Sequence, residues 1–304
     1  MRKFTIAILI LAVLAAGVFW FVTAPRTFDA SAFGTHAVNA ENGKTMFFAG
    51  GCAACHAIPG EEDRTRLGGG LALKSPFGTF YVPNISSDAK DGIGGWSEAQ
   101  FITAMKKGVS PRGEHYYPAF PYTSYQWLRV PDLRDLFAHI KSLPPVQGKV
   151  RGHDVPFPFN IRRLLGGWKF LFLGDEPFSA DPKQSAQWNR GAYLVNAAGH
   201  CAECHSSRNF LGAIVTRQRF AGGPNPEGEG WIPNITQAAI KDWPVEDLAD
   251  FLEFGDKPGG KPILGPMVPV IRNTSQLPPE DRNAMAVYLK SLAPIEGPKR
   301  PERK

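Results

Sequence analysis

The chain has 304 residues, 43% of them hydrophobic and 20% charged, a balance that excludes a disordered polymer and leaves room for one large core or two modest ones. Its 27 prolines and 32 glycines point to much irregular loop. The net charge of +6 raises the question of nucleic-acid binding, but the positive balance falls in residues 1–40, 147–186 and the tail from 295, and the stretches 41–146 and 187–294 are nearly neutral. The clustered basic face that such binding requires is not present.

The chain opens with Met1-Arg2-Lys3 and an uncharged apolar run from Phe4 to Val22. Nineteen such residues are about enough to cross a bilayer as a helix, and Arg2 and Lys3 would remain cytoplasmic, sending the rest of the chain outward. A cleaved signal peptide has the same basic start. The length of this run, and Pro25 directly after Ala24, favour an uncleaved anchor over residues 1–24. Either reading sends the remainder across the membrane; together with the haem-attachment runs at residues 52–56 and 201–205, that implies a bacterial periplasm, with an uncleaved anchor lying in the inner membrane.

Residues 41–146 form the first candidate domain. Cys52-Ala53-Ala54-Cys55-His56 has the Cys-x-x-Cys-His spacing of covalent c-type haem attachment: two cysteines bond the haem vinyl groups and the adjacent histidine ligates the iron. Farther on, Ser97-Glu98-Ala99-Gln100 has capping-box spacing, Phe101, Ala104 and Met105 form an apolar stripe, and Gly108 stops the helix. A second helix is expected from Pro131 to Lys141. Residues 147–186 read as a structured connector, because Pro156-Phe157-Pro158-Phe159 and Leu164 to Leu173 are too aromatic for a flexible linker. Packing between domains is the favoured reading of that density, with a membrane or partner surface as the alternative.

Residues 187–294 repeat the first domain at a period of about 149. Cys201-Ala202-Glu203-Cys204-His205 is the second attachment run. Tyr81-Val82-Pro83-Asn84-Ile85-Ser86 matches Trp231-Ile232-Pro233-Asn234-Ile235-Thr236, Trp96 matches Trp243, and Gly108 matches Gly255. Helices are expected over Pro244–Phe254 and Pro279–Lys290, and residues 295–304 read as a polar, disordered tail. The two runs use all four cysteines, each with its own histidine inside a similar long repeat, which disfavours a single four-cysteine zinc site or dithiol redox chemistry. Strand-like alternation is scarce. The expected fold is mainly α: two tandem cytochrome c-type haem domains after an N-terminal transmembrane anchor, with Cys52, Cys55, Cys201 and Cys204 holding two covalent haem c groups and His56 and His205 on the irons. The Asn-x-Ser/Thr triplets at Asn84, Asn234 and Asn273 are read as chance, the first two as parts of a structural loop.

Several segments closely resemble the membrane-associated multihaem cytochrome c subunits of bacterial alcohol, aldehyde and gluconate-type dehydrogenases. They are Pro83-Asn84-Ile85 with Gly92-Ile93-Gly94-Gly95-Trp96, Tyr117-Pro118-Ala119-Phe120-Pro121-Tyr122, Trp188 to Val195, Gly199 to His205, Arg208-Asn209 and Asn273-Thr274-Ser275. The likeness runs from about residue 40 to 294. Those subunits have three haem domains where this chain has two attachment runs. The resemblance implies an electron carrier between a periplasmic dehydrogenase and quinone or a terminal oxidase, with no catalytic residues of its own. It also places Met267 at the ligand-methionine position of the second domain. In the first domain the family's methionine falls where this chain has Phe120, which cannot bind iron. His115, five residues earlier, and an open iron are both candidates there. An open iron admits an alternative function, a dihaem peroxidase-like enzyme fed by the second haem. Met105 and His139 are expected in the core, and His36, His153 and His200 are assigned no chemistry. No dinucleotide fingerprint is present, so the partner's own cofactor is expected elsewhere.

Overall fold

The computed structural model describes residues 1–174, 176–226 and 228–300; the end of the expected tail, 301–304, lies outside the described residues. Helix α1 (Arg2–Val22) leads into a short 3-10 turn at Ala30–Ala32, and α2 (Ala40–Ala49) and α3 (Cys52–His56) follow. An antiparallel ribbon of β1 (Ala72–Ser75) and β2 (Gly78–Tyr81) precedes α4 (Glu98–Lys107), α5 (Tyr122–Tyr125) and α6 (Val130–Ser142). The connector carries α7 (Leu164–Phe172). The second half runs α8 (Ala186–Tyr193), a π turn over Leu194–Ala198, α9 (Ala202–His205), the ribbon β3 (Gly223–Pro224) with β4 (Trp231–Ile232), and α10 (Gln237–Ile240). It closes with α11 (Val245–Phe254), the ribbon β5 (Asp256–Lys257) with β6 (Lys261–Pro262), α12 (Met267–Thr274) and α13 (Pro279–Ser291). The fold is mostly helical, as the scarcity of strand alternation predicts.

The local signals act as expected. The Ser97 hydroxyl accepts from the Gln100 backbone at 3.2 Å, and the Gln100 side chain accepts from the Ser97 backbone at 2.9 Å, closing the capping box of α4. Gly108 and Gly255 end α4 and α11 in the left-handed region, at φ of 58° and 78°. The apolar stripe of α4 is buried, and His139 packs its ring against Phe47 at 5.2 Å.

The two halves share helix crossings as well as helices. In the first, α2 packs on α6 with Gly43 so close that a Cβ there would lie 2.3 Å from the Asp135 carbonyl oxygen. In the second, α8 packs on α13 with Gly191 placed so that a Cβ would lie 1.9 Å from the Ala284 carbonyl oxygen. Only a residue without a side chain permits either approach. Gly43 and Gly191 differ by 148 positions, whereas Gly50 and Gly199 differ by 149. The π turn between Gly191 and Gly199 absorbs the extra residue, which is how a one-residue insertion enters a helix without breaking it.

The halves are fused through one apolar core that draws on Phe47, Ile102 and Leu136 from one side and Tyr193, Leu194 and Leu289 from the other. Polar ties cross the same boundary. The Tyr193 hydroxyl donates to Asp132 at 2.5 Å, and the Thr123 and Ser124 hydroxyls donate to the buried Glu203 carboxylate at 2.6 and 2.8 Å. Glu203 also pairs with Arg208 at 2.8 Å; burial works against its charge, but Arg208 and the two hydroxyls hold its carboxyl below the usual range.

Two expectations change. The second unit does not stop at 294: the Ile295 carbonyl accepts from the Asn234 amide at 2.8 Å, as the Val146 carbonyl accepts from Asn84 at 2.7 Å, and Gly297 lies against Ala221. The start of the tail is therefore a packed edge of the unit. The connector, for its part, is packed on one face only. Its aromatic residues do not all turn inward, and Phe157, Phe170 and Leu171 are exposed.

Candidate functional site

Each attachment run begins a short helix at a tight bend, with Gly51 left-handed at φ 58° before Cys52 and His200 at φ 39° before Cys201. The four cysteines form no disulfide with one another, and burial pushes the Cys52 thiol up to about 12 and the Cys201 thiol up to about 11.

The histidines are held alike. His56 Nδ1 lies 2.9 Å from the Pro83 carbonyl oxygen, and His205 Nδ1 lies 2.8 Å from that of Pro233. A carbonyl only accepts, so in both rings Nδ1 carries the hydrogen and Nε2 keeps its lone pair. Burial lowers His56 to about 4 and lowers His205 as well, with the proline carbonyl pulling the other way in each. Both imidazoles are thus neutral, oriented and free at Nε2, the state an iron ligand requires.

The carbonyls that orient the histidines are themselves fixed. Asn84 accepts from the Ser86 backbone at 2.9 Å, and Asn234 accepts from the Thr236 backbone at 2.7 Å. Each Asn amide then ties its loop to the end of its own unit, at Val146 or Ile295. The triplets at Asn84 and Asn234 are therefore structural turns with Asn84, Ser86 and Thr236 buried, and the one at Asn273 begins inside α12. Gly69 and Gly222 complete the cradle: their backbone N–H groups donate to the carbonyls of His56 and His205, both at 2.8 Å. Sequence reasoning found the Pro-Asn-Ile repeat but missed that its proline carbonyl positions the histidine; the nearly equal spacing of loop and histidine, 27 residues in one half and 28 in the other, was the available signal.

The two runs adjoin each other. A Cβ at Gly50 would lie 3.5 Å from Cys52 Sγ and 3.8 Å from the Ala198 carbonyl oxygen; one at Gly199 would lie 3.5 Å from Cys201 Sγ and 3.7 Å from that of Ala49. The reciprocal contacts describe an approximate twofold relation between the attachment segments. His200 Nε2 donates to the Gly50 carbonyl at 3.3 Å, and the Tyr125 hydroxyl donates to the same oxygen at 3.3 Å.

The other candidate residues fall differently. Met267 is half-buried at the first turn of α12, which packs on α11 and also on α2 and α3 of the first unit. Phe120 precedes α5 and packs against the rings of Tyr116, Tyr122 and Tyr125. His115 is buried with both ring nitrogens engaged: Nε2 donates to the Thr23 carbonyl at 2.9 Å, and Nδ1 accepts from Lys169 Nζ at 3.1 Å. In this arrangement it offers no lone pair to a metal and instead joins α7 to the end of α1. Met105 and Met46 line a small cavity beside Cys52, with Tyr125, Leu136 and Ala198 among its walls.

The family model described as cytochrome c matches residues 40–144. A protein described as diheme cytochrome c-type from Cereibacter sphaeroides is 45% identical over 298 residues, covering 97% of this chain and 100% of that protein. This chain belongs to the cytochrome c family. A nicotinate dehydrogenase component of Pseudomonas putida is 41% identical over 253 residues, which is 83% of this chain and 21% of that protein. The fructose dehydrogenase cytochrome subunit of Gluconobacter japonicus is 36% identical over 263 residues, 84% of this chain and 53% of that subunit. The chain thus spans about half or less of those two relatives. Membership makes the cytochrome an electron-transfer protein that binds haem c covalently.

Proposed function

We propose that this cytochrome is a membrane-anchored, periplasmic dihaem electron carrier. It takes electrons from a periplasmic dehydrogenase subunit and passes them towards quinone or a terminal oxidase of the respiratory chain. The observation that carries the reading is the duplicated histidine cradle, with two attachment segments abutting across the twofold-like contact. Haem c, when bound, supplies a one-electron iron couple. The chain's own residues do the rest. Cys52 and Cys55 hold one group and Cys201 and Cys204 the other; His56 and His205 present Nε2, and Pro83 and Pro233 keep those rings from turning. Met267 is the distal ligand proposed for the second site.

The first site differs. Phe120 offers no ligand and His115 is engaged elsewhere, which supports a first iron without the thioether that the family position supplies. The periplasmic location rests on α1, a 21-residue exposed apolar helix that is about 30 Å long at 1.5 Å per residue. The dehydrogenase partner rests on the relatives' names.

Purification from membranes in mild detergent tests the whole reading. Two covalent haems per chain and a copurifying dehydrogenase are expected, and EPR of the oxidised protein should show two unequal irons. One haem per chain, or two identical thioether-ligated irons, would overturn the dihaem assignment or the asymmetry respectively. Hydrogen-peroxide turnover lost on changing the first site would favour the peroxidase-like alternative.

A further inference from the structure

Helix α7 is inside out for a helix facing water. Lys169, its one charged residue, is 8% exposed, whereas Phe170 and Leu171 beside it are 68% and 64% exposed. The Lys169 ammonium donates to the carbonyls of Lys107 and Gly108 at the end of α4, at 2.8 and 2.6 Å. The two arginines before the helix also turn inward: Arg162 donates to the His115 carbonyl at 2.9 Å, and Arg163 donates to the Thr23 hydroxyl at 2.9 Å. The outward face carries Phe157, Phe159, Ile161, Leu164, Phe170 and Leu171, with Asn160 the exposed polar residue among them. It continues sideways, because the Trp168 indole donates to the Leu211 carbonyl at 2.9 Å and the neighbouring Phe210 is exposed. A contiguous apolar surface of this kind needs an occupant.

The position of α7 says which. Gly166 lies against Thr23, where a Cβ would meet the Thr23 carbonyl oxygen at 2.4 Å, and Gly167 faces Phe19. Arg163 stacks over the Trp20 ring with 4.0 Å to its centroid and donates to the Trp20 carbonyl. Helix α7 is thus fastened to the last turn of α1, the level at which a membrane-crossing α1 leaves the hydrocarbon. An amphipathic helix at that level, with tryptophan beside it, has the character of an interfacial element.

We propose that the outer face of α7 and the Phe157–Ile161 loop lie in the outer-leaflet interface of the bilayer that α1 crosses, fixing the orientation of the cytochrome on the membrane. This rests on the reading of α1 as an anchor. A swinging tether would let the haem units tumble; two attachments hold one face to the lipid and leave the other for soluble partners.

The test uses the full-length holoprotein in vesicles of phosphatidylethanolamine and phosphatidylglycerol bearing a photoactivatable acyl-chain probe, with adducts mapped by peptide mass spectrometry. Lipid adducts are expected on α1 and on 157–172. The variant F170E/L171E, with its haem spectrum intact, should lose adducts on 157–172 at least fivefold and keep those on α1. Labelled α1 with a blank 157–172 would overturn this inference alone. A blank α1 would overturn the anchor reading, and this inference with it. Crosslinking of 157–172 to a dehydrogenase subunit in native membranes, without lipid adducts, would overturn it in favour of a protein occupant.

Discussion

The two units agree on one side of their sites and part on the other. Around His56 and His205 the same proline carbonyl, the same Asn turn and the same glycine N–H recur, with hydrogen bonds matching within about 0.2 Å. At the positions proposed for the distal side they differ: α12 starts with Met267, and the approach to α5 holds Phe120 among three tyrosine rings. The proximal side is constrained by covalent attachment and by the need for an oriented, neutral imidazole, so little can drift. On the function proposed above, the distal side sets how each iron behaves, and one scaffold would there carry two different sites.

The largest expected effect tests the independence of the two units. C52A/C55A should leave one haem per chain by pyridine haemochrome assay, as should C201A/C204A, but the spectra of the two products should differ. Only the product that retains Cys201 and Cys204 should show a thioether-to-iron charge-transfer band. Identical spectra would sink the comparison.

The next pair of changes trades the distal residues. M267A should abolish the charge-transfer band in the intact protein, while F120M should roughly double it by giving the first iron a thioether too. The second outcome is the more telling, because it requires the first unit to accept the family's ligand where Phe120 now packs. A band unchanged in both variants would remove Met267 and Phe120 from the distal positions.

A smaller effect probes the shared crossings. G43A and G191A should each destabilise the fold by about 1–3 kcal/mol through overpacking, measured by denaturant unfolding. Gly191 should cost more, since its Cβ would meet a carbonyl oxygen at 1.9 Å against 2.3 Å at Gly43. Equal tolerance of both would mean that the helices shift freely.

Much of this was legible in the sequence where function repeats a residue type at fixed spacing. The attachment runs, the helix stops at Gly108 and Gly255 and the Pro-Asn-Ile loops were all visible. The role of the proline carbonyls was not, because a backbone acceptor leaves no side-chain signature. His115 was misleading for a related reason: its sequence neighbourhood suggested an iron ligand, but its surroundings are set by Thr23 and Lys169, 92 and 54 residues away. The inverted face of α7 was likewise hidden. Its composition reads as buried helix, and only the long-range contacts of Lys169 show which side turns inward.

The smallest expected effect concerns acid stability, where the units differ at one matched position: Asp135 in α6 stands where α13 has Ala284. Burial works against the Asp135 charge, yet the Asn39 backbone N–H at 2.9 Å, the Asn42 amide at 2.7 Å and His36 at 2.7 Å hold its carboxyl below the usual range. Its folded-state pKa is therefore lower than the unfolded value of about 3.9. Between the two, the unfolded chain binds more protons, so the contribution is fully present above the unfolded value of about 4 and is lost as pH falls from there through the folded value. D135N should cost about 1–3 kcal/mol at neutral pH, as expected when a buried charged acceptor is lost. It should also flatten the acid side of the stability profile. The first unit should carry this slope, because the second has only a methyl group at that place. If D135N leaves the acid limb unchanged, the pH dependence must come from groups outside this position, and the two scaffolds are more alike under acid than their side chains suggest.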